Sequence, residues 1–155
     1  MKKLHRGILF EIPNTYGFYL RDIIQMIDMQ NVLWRAMDVE SYFTCNNDLG
    51  EPLFETNMIL SNEQLLDHLK KEHYTIFVDL KAFPRNSTPT EISSYEEFTS
   101  SQCEVVLLII DSCYVSLYMK DRKKLQEMYE EVIGRFENVE YITDDNDSRY
   151  SLIAF

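Results

Sequence analysis

Two short stretches of this chain carry residue types that could do metal chemistry. The first is "DDNDS", Asp144 to Ser148. It sets oxygen-bearing side chains at alternate positions, as a calcium loop does at its start. The match then fails, because Arg149 stands where that loop needs Gly and Phe155 where a bidentate Glu belongs. Asp and Asn also close turns, so Asp144, Asp145 and Asp147 are expected at a hairpin tip, as an acidic protrusion that a partner could contact. The second stretch is "FVDLK", an apolar strand ending in Asp79-x-Lys81. Metal-dependent nucleases use such a pair, the carboxylate holding Mg²⁺ and the Lys orienting the attacking water. Asp111, at the end of "VVLLIID", could complete the set. The simpler expectation places Asp79 and Lys81 at a solvated strand exit and Asp111 in a turn with Ser112.

Other chemistry does not assemble. His68 and His73 are read on one helix, where five residues put them roughly 140° apart around the axis, off the shared face a zinc pair needs. His5 lies far away in sequence. Three cysteines without a secretory leader point to reduced thiols rather than a disulfide framework. If Asp111-Ser112 is a two-residue hairpin, Ile110 faces Cys113 and Cys103 falls opposite Lys120, so Cys103 and Cys113 are not partners. With four glycines and no GxSxG, Walker or GxGxxG pattern, phosphate-cradling loops have little material. No cofactor is called for.

The elements that must position these residues can be read from periodicity. "LHRGILFEI" alternates as a strand, with Leu4, Ile8, Phe10 and Ile12 on one face. Pro13-Asn14-Thr15 opens a helix whose stripe is Tyr16, Tyr19, Leu20, Ile23, Ile24 and Ile27. "VLWRAM" and "ESYFTC" follow as strands, then "NNDLGEPLFETN" as a loop. Ser61 begins a capping box with Gln64, and "SYEE" begins a second. "YTIFVDL", "CEVVLLII" and "CYVSLYM" are strands, and Asp121 caps the last helix. "NVEYIT" and "RYSLIAF" close the chain as a hairpin. The order predicts one α+β domain over residues 1–155. It is a mixed-sheet α/β sandwich with a mixed, largely antiparallel sheet of about six to eight strands, about four packed helices and a C-terminal β-hairpin.

The balance of 26 acidic and 15 basic residues gives a net charge of −11. That repels a phosphate backbone and steers the chain toward basic partners, so nucleic acid is not expected. No apolar run approaches the ~20 residues needed to cross a bilayer, and the N-terminus lacks a signal-peptide core; a cytoplasmic protein is expected. Trp34, Tyr42, Tyr114, Tyr118 and Tyr150 sit on strands in an acidic context, the composition of a protein-contact surface. The function expected is therefore non-enzymatic binding of a basic protein, as by an inhibitor or immunity-type module. The alternative is a small metal-dependent hydrolase using Asp79, Lys81 and Asp111.

Several stretches, "RGILFEIPN", "GEPLF", "DLKAFP", "VVLLIIDSCYVSLYMKD" and "ENVEYITDDND", together resemble a family of small uncharacterised cytosolic proteins of Bacillus-type bacteria, classed as a domain of unknown function. The likeness runs nearly end to end. It implies a single domain and a bacterial, cytosolic origin, and it assigns no catalytic residue.

Overall fold

The computed structural model describes residues 4–37, 39–149 and 151–154. Among them are nine strands of one sheet and four helices. The strands are β1 (His5–Glu11), β2 (Val32–Ala36), β3 (Glu40–Cys45), β4 (Asp48–Pro52), β5 (Met58–Ser61), β6 (His73–Pro84), β7 (Val105–Ile110), β8 (Tyr114–Met119) and β9 (Glu137–Thr143). The helices are α1 (Tyr19–Ile27), α2 (Asn62–His68), α3 (Tyr95–Ser100) and α4 (Arg122–Ile133). The main path runs β4-β3-β6-β7-β8-β1-β9, and β5-β2 joins along β6. Each pairing is antiparallel.

The 12-residue β6 is the spine. Residues 73–77 pair with β3, residues 80–84 with β2, and residues 78–82 with β7 on the other side. Because strand side chains alternate, the sheet has two apolar faces. One carries Ile8, Phe10, Val78, Leu80, Leu107, Ile109, Val115 and Leu117, covered by the buried stripes of α1 (Leu20, Ile23, Ile24, Ile27), α2 and α4. The other carries Phe83, Val106, Leu108, Tyr118 and Ile142 beneath α3 and the chain end, Leu152 and Ala154.

The caps form where the sequence places them. Ser61 and Gln64 bond reciprocally, Ser94 accepts from the Glu97 N–H, and Asp121 from the Lys124 N–H. The second box is only half made, since the Glu97 carboxylate turns to Ser93 instead. Four local readings change. Helix α1 starts at Tyr19 because Gly17 is bridged to His73, each amide donating to the other's carbonyl at 3.0 and 2.9 Å. The loop read over 46–57 contains β4 and the lead-in to β5; Asn46 and Asn47, both left-handed, close a two-residue β3–β4 hairpin. Asp111 and Ser112 are also left-handed, but the β7–β8 loop holds three residues, so Ile110 faces Tyr114 rather than Cys113. The reason is tertiary: the Ser112 amide donates to the Ile76 carbonyl of β6 and its hydroxyl accepts from Tyr74. Finally, β9 pairs with β1, and the described residues after Thr143 form turns without strand pairing to it.

Candidate functional site

Among the described residues, the second face of the sheet is only half covered. At one end α3, residues 151–154 and the segment near Ile92 seal it. At the other, the strand registers line up a row of direct cross-strand neighbours: Glu40 opposite Phe77, Ile110 opposite Tyr114, Tyr114 opposite Glu11, and Glu11 opposite Glu137. The β6–β7 register, continued one residue beyond Val78–Ile109, sets Phe77 beside Ile110. The row therefore reads acid, aromatic, aliphatic, aromatic, acid, acid over six strands. At a strand spacing of about 4.8 Å, its carboxylates at Glu40 and Glu11 stand about 19 Å apart with an apolar middle. Leu9, Ile153 and Arg149 extend this floor into a groove of ≈ 910 Å³. Tyr114 is 53% exposed within it.

Glu11, Glu40, Glu137 and Glu140, the glutamates of the row and the groove, form no ion pair between described residues, although the Arg149 cation also lines the groove. Glu11 is instead oriented by Asn138, whose Nδ2 donates to Oε2 at 2.6 Å. Asn138 can reach because β9 shifts register there, and the residue adopts φ 53°, a left-handed backbone that Asn tolerates. Arg149 donates to the Ser116 hydroxyl at 3.3 Å.

The acidic knot has an internal purpose. The Asn146 amide donates to the Tyr141 carbonyl and its Oδ1 accepts from the Thr143 N–H, so one side chain serves two backbone groups of edge strand β9. The Asp147 side chain, 5% exposed, points inward; it accepts from Arg6 at 3.2 Å and from the Tyr118 hydroxyl at 3.1 Å. Burial, with the Asp147 charge beside it, pushes the Tyr118 phenol above its usual range. Asp144 and Asp145 remain exposed at the turn.

The other candidates disperse. Trp34 is wholly buried, with Nε1 donating to Asn62 Oδ1 at 3.1 Å, and Tyr118 is 1% exposed; neither lies on a surface. Tyr42 is half-buried between Pro52 and Tyr74, and Tyr150 lies outside the described residues. Of the described aromatics picked out in the sequence, Tyr114 alone is placed in the groove and exposed. Asp79 and Lys81 are no solvated exit. They form a buried ion pair at 2.7 Å, with side chains 1% and 6% exposed, and the second Asp79 oxygen accepts from the Ala154 amide at 3.3 Å. Asp111 sits on the exposed turn, and Asp79 lies opposite Leu108, so about 10 Å of strand separates the two. The structure does not bring them together. His68 ends α2 and His73 begins β6, so they never shared a helix. Among the described residues no group of three or more His, Cys, Asp or Glu is placed to hold a metal ion. Nor, among them, is any helix long and apolar enough to cross a membrane.

Sequence reasoning missed Leu9, Glu11, Phe77 and Ile110. A signal existed at β1, where Leu9 and Glu11 fall between the inward Ile8, Phe10 and Ile12 and must face the other way. In β7 an unbroken apolar run hides which residues face which side.

Comparison with known proteins gives the family of this chain. The chain is 41% identical over 152 residues to the "Uncharacterized protein YncE" of Bacillus subtilis (strain 168), covering 96% of this chain and 99% of the relative. No solved structure matches it. The model of the family described as "Protein of unknown function (DUF2691)" matches residues 5–153, and the chain belongs to that family.

Proposed function

We propose that this protein is a non-enzymatic binding module that docks a basic protein on the open half of its second sheet face. The observation that supports this is the cross-strand row Glu40, Phe77, Ile110, Tyr114, Glu11, Glu137, an apolar strip bracketed by carboxylates that no described cation pairs with. Apolar and aromatic side chains at the centre with charge at the rim is how a contact surface divides its labour: the centre supplies burial, the rim supplies steering. The net charge of −11 strengthens attraction to a basic surface at long range. An inhibitor or immunity-type protein shielding a basic site would have this character, by analogy of chemistry alone.

The test is capture from native lysate with immobilised wild-type protein and an Ile110→Asp variant, followed by pairwise titration of the recovered partner. The reading expects a partner of net positive charge, weakened as ionic strength rises through about 0.1 M, where the Debye length falls to about 10 Å. It expects that partner to be lost on Ile110→Asp. Recovery of no partner, or of partners indifferent to both salt and the substitution, refutes it.

A further inference from the structure

We infer that the specificity element of this groove is a receptor for an arginine side chain presented by the partner, built from Glu11, Tyr114 and Asn138. The inference rests on the reading above and narrows it to one residue type. Glu11 and Tyr114 are direct cross-strand neighbours on the open face, so their Cβ atoms lie about 5 Å apart. The Tyr114 ring is more than half exposed, offering a face on which a planar cation can lie. The Glu11 carboxylate beside it is not free to swing, because Asn138 holds one oxygen at 2.6 Å. Among the described residues no hydrogen bond or ion pair engages its other oxygen, which can accept from an incoming donor.

An exposed ring and an oriented carboxylate side by side match a guanidinium better than an ammonium. Arginine can stack its plane on the ring while its fork donates to the carboxylate; lysine, a point charge, satisfies one demand at a time. Two further facts point the same way. Glu137 lies opposite Glu11 on the adjacent strand, a like-charge placement that costs free energy in the unbound protein and is relieved by a cation. The floor next to the ring, Ile110 and Phe77, is apolar, which suits the aliphatic residues flanking such an arginine.

The probe is a capped tripeptide, acetyl-Ile-Arg-Ile-amide, titrated into isotopically labelled protein while backbone amide shifts are followed. Its counterparts carry citrulline or lysine in place of arginine; citrulline keeps the shape and removes the charge. The expected result is saturable shifts at Glu11, Tyr114 and Asn138, roughly fivefold weaker binding with lysine, and none of these shifts with citrulline. Glu11→Gln and Tyr114→Leu, checked for native spectra, each weaken the arginine peptide by a similar factor. Equal response to citrulline, equal response to lysine, or shifts confined to other parts of the molecule overturn the inference. If a captured basic partner depends on Ile110 but not on Glu11, the binding reading stands and this assignment falls. If the peptide binds as described while no protein partner is found, the arginine site stands without the wider role.

Discussion

Remove the Asp79 carboxylate, and the Lys81 ammonium, 6% exposed, loses the one anion it pairs with among the described residues. The structure sets the size of that penalty. The pair is 2.7 Å apart, both side chains are sealed from water, and the remaining Asp79 oxygen binds the Ala154 amide. Breaking one side of such a pair costs about 3–5 kcal/mol, because an uncompensated charge stays buried. Against a total stability of about 5–15 kcal/mol, Asp79→Leu should bring the fold near its limit. The double variant Asp79→Leu/Lys81→Met removes both charges and should recover most of the loss, giving a coupling of about 2–3 kcal/mol in a double-mutant cycle. Equilibrium urea unfolding measures Asp79→Leu, Lys81→Met and the double variant, with the slope checked for constancy. A second readout is amide hydrogen exchange. The Leu152 N–H donates to Ser93 and the Ala154 N–H to Asp79, so Asp79→Leu should unprotect Ala154 before the strand amides of β7. Single variants that each lose less than about 1 kcal/mol, or a double variant no better than the worse single, would refute the claim that this pair is a structural latch for the chain end.

Three further outcomes follow from the same structure. A Cβ built on Gly7 lies 2.0 Å from the Leu117 carbonyl oxygen of β8, so Gly7→Ala must push two central strands apart and should lower stability by at least about 2 kcal/mol in urea unfolding. His73 is buried, with Nδ1 bonded to the Lys71 carbonyl at 2.8 Å and Nε2 lacking a described partner; burial lowers its pKa from the ordinary 6.5. The unfolded chain therefore takes up the proton first on acidification, so the stability carried by the neutral ring is full above that value and lost as pH falls below it. The melting temperature should drop as pH falls through and below about 6.5, and His73→Leu should flatten that slope. Cys45 is exposed, whereas burial pushes the Cys103 thiol up to about 12. At mildly alkaline pH a disulfide reagent should label Cys45 promptly and Cys103 only on unfolding, as mass spectrometry of the labelled peptides would report.

Much of the local structure is written in short-range signals. Ser61, Ser94 and Asp121 cap their helices because a side-chain oxygen needs only the amides two or three residues on. The strand positions of β1, β2, β3, β7 and β8 follow from side-chain alternation and branched or aromatic content. The β3–β4 hairpin was also within reach, since Asn46-Asn47 suits a left-handed two-residue turn. Two other misread features share one cause. The start of α1 depends on a bridge to His73, the β7–β8 register on a hydrogen bond to Ile76, and neither partner is near in the chain.

The candidate site divides the same way. By itself the sequence determined the family resemblance, the acidic charge, the caps and most of the strands, because composition and spacing carry them. It also singled out Tyr114 as a surface aromatic. It could not say that Trp34 and Tyr118 are core, that Asp147 points inward to Arg6, or that Asp79 and Lys81 neutralise each other beneath the chain end. Nor could it align Glu40, Phe77, Ile110, Tyr114 and Glu11, which come from five different strands. Only strand pairing decides which side chains stand next to one another across a sheet, and a slip of one residue in any register would have turned that row to the opposite face.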